Sequence, residues 1–229
     1  MDGNREKTEI LSKTSFWNNL KNDEKAMVVN KSYLLEFEKN QVIASGDSSC
    51  AGVMFVMEGG IRVSLISEEG REITLYRLKK GDCCVMTASC IVKEITFDTV
   101  ISAENHTKAL TIPSSLSSLL LDSNIHFQAF VHEKETERFS SAMRVISDML
   151  FKRLDQRLAS YLLKKSEEMG TTDLSLTQEE IARDINSARE VVARMLRNFA
   201  DEGYLEVKRG LVCILDAEGL RKLQKEKGM

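Results

Sequence analysis

The stretch from Thr177 to Leu215, TQEEIARDINSAREVVARMLRNFADEGYLEVKRGLVCIL, decides the fold. Thr177 and Glu180 make a Thr-x-x-Glu capping box, in which the hydroxyl accepts from the Glu180 amide and the carboxylate reaches back to the Thr177 amide. Ser187 and Glu190 repeat the spacing, which predicts a second helix capped by Ser187. Asn186 lies between them, where the chain turns and a left-handed backbone suits Asn. Ile181 and Ile185 share one face of the first helix, and Val192, Met195, Leu196 and Phe199 share one face of the second. Two short helices with such faces bury them on each other by crossing steeply, as a helix-turn-helix.

Outward from that pair, Arg189, Glu190 and Arg194 spread over an arc of about 140° on the second helix. A guanidinium presents a fork to guanine, and a carboxylate accepts from the amino group of cytosine. Past Gly203, Tyr204–Val207 and Leu211–Leu215 flank Lys208, Arg209 and Gly210, a hairpin with a basic tip. This helix-turn-helix with its wing resembles the DNA-binding end of the Crp/Fnr family of bacterial transcription regulators. The family carries an Arg-Glu-x-x-x-Arg recognition helix, matched by Arg189-Glu190-Val191-Val192-Ala193-Arg194. The resemblance makes Thr177, Gln178, Ser187, Arg189, Glu190, Arg194, Lys208 and Arg209 the expected DNA contacts. One position departs: Ala188 stands where the best-known cyclic-AMP-binding member has Ser.

A chain of 229 residues can hold two modest domains, each with its own core. At 42% hydrophobic and 29% charged it reads as an ordinary soluble protein. No apolar run approaches the ~20 residues of a membrane span, and the start MDGNREKTEI lacks a signal-peptide core, so a cytoplasmic location away from membranes is expected. Five cysteines then stay largely reduced, and the odd count speaks against a disulfide framework. Net charge is −3, so any DNA role rests on a local basic face.

Upstream, Phe16, Trp17, Leu20, Met27 and Val28 mark a helical cover for the first domain. From Leu35 to Ile112, strand-like runs alternate with the turn signals Gly46-Asp47, Glu58-Gly59-Gly60, Glu68-Glu69-Gly70 and Lys80-Gly81-Asp82, which suggests an antiparallel sandwich or barrel. The glycine spacing resembles the jelly-roll effector domain of the same family. A helix without Gly or Pro is expected over 122–152, striped by Phe127, Val131, Phe139, Met143, Ile146 and Leu150. The family uses that helix as a two-fold dimer seam. The expected fold class is thus α+β: a β-roll at 1–121, a dimerisation helix at 122–152, and a winged helix-turn-helix at 153–229 whose last residues, 221–229, fray.

The effector is harder to read. Cyclic-nucleotide binders of the family place a Glu near Met86 and an Arg-Ser phosphate clamp near Phe97 and Asp98. A phenyl ring and a carboxylate cannot replace a bidentate fork, so cyclic AMP is rejected as the effector. The cysteine group of the iron–sulfur branch is absent, because 1–49 hold no Cys and Cys50 is isolated. Haem is not supported: His106, His126 and His132 form no ligand spacing. Cys83, Cys84, Met86, Cys90 and Phe97 are the candidate effector pocket, with an unidentified small molecule as ligand. Alternatively Cys83, Cys84 and Cys90 form a redox thiol switch, or are small core residues. Three histidines without a His-x-His pair do not suggest a metal enzyme, and no catalytic residue is assigned. A protein-interaction module keeping the helix-turn-helix as scaffold is the remaining alternative. The expected partners are duplex DNA, a second copy of the chain and, from the resemblance, RNA polymerase.

Overall fold

The computed structural model describes residues 2–45, 51–68, 70, 72–85 and 99–225. The chain divides into two compact units, 1–142 and 143–229. The first opens with α1 (Asp2–Leu11), a 3-10 turn at Trp17–Asn19, and α2 (Asn22–Lys31). Eight strands follow: β1 (Tyr33–Phe37), β2 (Val42–Ser45), β3 (Gly52–Glu58), β4 (Gly60–Ile66), β5 (Glu72–Lys79), β6 (Cys83–Cys84), β7 (Thr99–Ala103) and β8 (Thr107–Pro113). They pair antiparallel in two sheets, β1-β8-β3-β6 and β2-β7-β4-β5. The expected roll is therefore present.

β3 explains the layering. Its run Gly52–Met57 is buried on both faces, so it lacks the alternation of a half-exposed strand. Met54 and Val56 enter the core between the sheets, with Ile61, Val63, Leu78 and Ile101. Val53, Phe55 and Met57 enter a second core under the helices, with Leu11, Phe16, Trp17, Leu20 and Val28. The aromatic residues of the N-terminal segment cover the roll, as their pattern predicts. At the β3–β4 turn Gly59 has φ +78°, and a Cβ there would lie 2.3 Å from the His106 carbonyl oxygen. The Thr107 hydroxyl donates to the Gly60 carbonyl at 3.0 Å and so pins the same turn.

The predicted helix over 122–152 is interrupted. α3 (Ser114–Ser123) stops at Asn124, whose backbone is extended, and α4 runs over Ile125–Phe151. The Asn124 Oδ1 accepts from the His126 and Phe127 amides, both at 3.1 Å, and so caps the new helix. The stripe also divides. Phe127 and Val131 are buried in the helix-covered core beside Phe130, whereas Phe139 and Leu150 are 69% and 72% exposed.

The second unit contains α5 (Leu154–Met169), β9 (Asp173–Leu174), α6 (Gln178–Asp184), α7 (Arg189–Asp201), β10 (Leu205–Lys208), β11 (Leu211–Ile214) and α8 (Ala217–Lys225). Gly170, at φ +66°, closes α5 with a left-handed cap. The wing strands order as β10-β11-β9. Their core joins Leu158 and Leu162 to Ile181, Val192, Leu196, Phe199, Leu205 and Leu220. Fraying from Arg221 does not occur through Lys225: those residues finish α8, whose Leu220 is fully buried. The Asp216 carboxylate accepts from the Gly219 amide at 2.8 Å and starts this helix. Among the described residues no helix is long and apolar enough to cross a membrane.

Candidate nucleic-acid interface

α6 begins as its sequence predicts. The Thr177 hydroxyl accepts from the Glu180 amide at 3.2 Å, and the Glu180 carboxylate accepts from the Thr177 amide at 2.8 Å. The same hydroxyl donates to that carboxylate at 2.8 Å, so it is committed to the cap. Asn186 takes the left-handed conformation, φ 53°. The second capping box is not formed. The Ser187 amide donates back to the Ala182 carbonyl at 2.9 Å, the cap position passes to Ala188, and α7 starts at Arg189 without a side-chain cap. A left-handed residue followed by that backward bond holds Ser187 in the turn, two residues ahead of the helix start.

Val192, Leu196 and Phe199 fix α7 in the core of the second unit, which forces the opposite face outward. Arg189, Glu190 and Arg194 are exposed on that face and make no side-chain hydrogen bond or ion pair with other described residues. In particular the i,i+4 pair of Glu190 with Arg194, which would reduce them to a solvated surface, is not made. Arg197 is also exposed, but its Nε donates to the Ala193 carbonyl at 3.3 Å. α5 braces the turn behind this face. The Tyr161 hydroxyl donates to Asp184 at 2.8 Å, and Arg157 donates to the Ile185 carbonyl at 3.1 Å. Burial lowers the Arg157 pKa. These two braces were not identified from the sequence; their only trace there is a Tyr and an Arg within the apolar pattern of α5.

The wing places Lys208, Arg209 and Gly210 at its tip, with Gly210 at φ +74°. Lys208 is paired with Glu206 at 3.0 Å, and that partner raises its pKa; Arg209 is exposed. Ser187 and Gln178 are half-buried, on the turn and on the first turn of α6. The six sites Gln178, Ser187, Arg189, Glu190, Arg194 and Arg209 keep polar groups uncommitted by side-chain bonds, whereas Thr177 and Lys208 are engaged.

The candidate effector residues separate. Cys83 pairs with Phe55 across β3–β6, and Cys84 with Met54. Adjacent strand residues face opposite ways, so Cys83 enters the helix-covered core and Cys84 the core between the sheets. The two thiols do not line one cavity. Burial raises the Cys83 pKa well above that of a free thiol, which disfavours the reactive thiolate. Met86, Cys90, Phe97 and Asp98, together with Cys50 and the Gly46-Asp47 turn, lie outside the described residues. Among the described residues no group of three or more His, Cys, Asp or Glu is placed to hold a metal ion.

Comparison with known proteins returns the same two halves. A model described as a cyclic nucleotide-binding domain matches residues 34–123, and one described as a Crp-like helix-turn-helix domain matches 156–223. The crystal structure of a regulator of the Crp/Fnr family from Eubacterium rectale is 36% identical, with a TM-score of 0.84, covering 92% of this chain and 98% of that one. The transcriptional regulator SdrP of Thermus thermophilus is 28% identical over 180 residues, 76% of this chain and 84% of the relative. A CRP-like cAMP-activated global regulator of Mycobacterium tuberculosis is 32% identical over 84 residues, 34% of this chain and 38% of the relative.

Proposed function

The chain belongs to the Crp/Fnr family of transcriptional regulators, and from that premise we propose that α7 reads a duplex operator through Arg189, Glu190 and Arg194. The observation that carries this reading is the exposure of three side chains with base-reading chemistry and no partner among the described residues, on a helix whose other face is locked in a core. Arg189 and Arg194 supply forks for guanine, and Glu190 an acceptor for cytosine. Gln178 at the start of α6 and Arg209 on the wing hold the flanking phosphates, which position the helix without carrying sequence information. Two chains act together, each reading one half-site, with the half-sites about one helical turn apart.

The signal is received in the first unit and is not cyclic AMP. The sequence offers Phe97 and Asp98 where the family's binders clamp the cyclic phosphate, and these cannot provide the charge-assisted bonds it needs. Calorimetry with cyclic AMP on the full chain gives no heat on this reading, and micromolar binding would overturn it. For the DNA reading, selection from a random duplex library returns a near-palindrome. Arg189→Ala then costs about 1–3 kcal/mol on that site and relaxes the preference at one base pair. An equal loss on every sequence would make Arg189 a phosphate contact instead.

A further inference from the structure

The first unit holds a cavity of about 530 Å³ outside the core between the sheets, walled by α1, β3, the Gly81–Asp82 turn and α4. That volume lies within the usual range of small-molecule sites, about 300–1,000 Å³. Its apolar side is made by Ile10 of α1, Phe55 of β3 and Phe130 of α4. The Phe55 and Phe130 rings stack at 6.2 Å between centroids, 21° from parallel. Most of the charges around it are already spoken for. Glu6 pairs with Lys108 at 3.1 Å, Glu9 with Lys13 at 3.2 Å, and Lys134 with Glu137 at 2.8 Å and Glu133 at 3.6 Å.

Two cations keep unused capacity. Lys80 makes no ion pair with the described residues. Arg138 reaches Asp82 at only 3.4 Å and lies over the Tyr76 ring, 5.6 Å from its centroid, and its Nε has no acceptor among the described residues. A guanidinium held by one long ion pair keeps N–H donors to spare, and a carboxylate is the partner that matches it best. Glu58 lines the same cavity with no cation paired to it among the described residues, so a second negative charge on a ligand would be repelled.

We propose that this cavity is a binding site for a small organic monoanion with an apolar body, its charge held by Arg138 and Lys80 and its body packed on Ile10, Phe55 and Phe130. The site would also act on the long helix. Arg138 and Lys134 stand on α4 just after its buried stretch, Phe130 and Val131, and just before exposed Phe139. A ligand there alters the seating of α4 where it leaves the core. Control of DNA affinity through that movement rests on the regulator reading above, whereas the site itself does not.

The test is calorimetry of the full-length protein with 1-naphthoate as the probe, beside its neutral analogue 1-naphthalenemethanol and the dianion of naphthalene-1,4-dicarboxylic acid. Naphthoate binds one per chain. The alcohol binds about tenfold more weakly, the effect of losing one charge-assisted hydrogen bond. The dianion binds more weakly than naphthoate and recovers in Glu58→Gln. Arg138→Gln and Lys80→Gln each weaken naphthoate by about tenfold as well, and Ile10→Trp, which fills the apolar end, abolishes binding. Lys80 is exposed, so Lys80→Gln stays informative even if Arg138→Gln fails to fold, which a circular dichroism melt checks. No heat with naphthoate, equal binding of the alcohol, or unchanged affinity in Lys80→Gln overturns the site. Naphthoate that binds as described while the protein shows no operator binding at all overturns the regulator reading alone.

Discussion

Tyr161 illustrates how much the placement of α7 depends on residues behind its exposed face. Its hydroxyl donates to Asp184 at the end of α6, while Arg157 one turn earlier holds the Ile185 carbonyl. Together they fix the angle at which α7 leaves the turn. Tyr161→Phe keeps the ring in the core and removes one hydrogen bond, so the second unit loses about 1 kcal/mol in denaturant melts. Cys83 behaves differently. Its pKa is raised by burial, so the folded protein keeps the thiol proton to higher pH than the unfolded chain, which releases it near the ordinary value of about 8.5. Stability from this group is therefore complete below about pH 8.5 and is lost as pH rises, at up to about 1.4 kcal/mol per unit. Cys83→Ala flattens that alkaline slope, and iodoacetamide labels Cys83 slowly at neutral pH. Rapid labelling of Cys83 would restore the thiol-switch reading. At this scale the exposed Arg189, Glu190 and Arg194 were legible because helical periodicity separates them from Val192, Leu196 and Phe199. The parting of Cys83 from Cys84 was not, because no strand was read there: a two-residue strand shows no alternation of its own.

Among the elements, α6 and α7 carry similar start signals with different outcomes. Thr177 meets Glu180 as read, but Ser187 is held in the turn by its amide bond to Ala182, and Ala188 is left as a cap without a side-chain acceptor. Ala188 already has the extended backbone of a cap, φ −78° and ψ 143°. Ala188→Ser therefore supplies the missing acceptor and stabilises the second unit by about 1 kcal/mol in thermal or urea melts. No gain would mean that water caps α7 equally well. The break between α3 and α4 was illegible for a related reason. It rests on one Asn whose side chain replaces two backbone bonds, with no Gly or Pro to mark it. α8 escaped notice because its charged residues read as a tail, while Leu220 and the close fit of Gly219 do the anchoring. A Cβ at Gly219 would lie 2.6 Å from the Tyr204 ring and 2.5 Å from the Asp216 carboxylate. Gly219→Ala thus forces one of them aside and destabilises the unit by about 1–3 kcal/mol, read by the same melts. The roll itself was legible from its spacing of turns, since consecutive strands need one between them, and Gly59 could not be another residue without striking the His106 carbonyl.

At the scale of the whole molecule, α4 carries an apolar stripe that stays exposed beyond its buried start. Phe139, Met143, Ile146 and Leu150 follow one another at the four-three-four spacing of a coiled-coil seam. Phe139, Met143 and Leu150 are 69%, 45% and 72% exposed, although the same helix buries Phe127, Phe130 and Val131 in its own core. A helix that spends its first turns on its own fold and then presents such a stripe is built to meet another helix, and in the regulator proposed above that helix belongs to a second copy of the chain. Pairing also suits recognition, because one α7 exposes too few base-reading groups for a long operator, whereas two joined units convert the second contact into an intramolecular one. Phe139→Glu combined with Met143→Glu places like charges in both halves of the seam. The variant should sediment as a monomer, keep the melting behaviour of its winged unit, and lose about 10²-fold or more in affinity for the two-half-site duplex while binding a single half-site as the parent monomer would. Retention of the dimer in analytical ultracentrifugation would move the interface away from this stripe, and a monomer with undiminished operator affinity would show that the two reading helices do not act together.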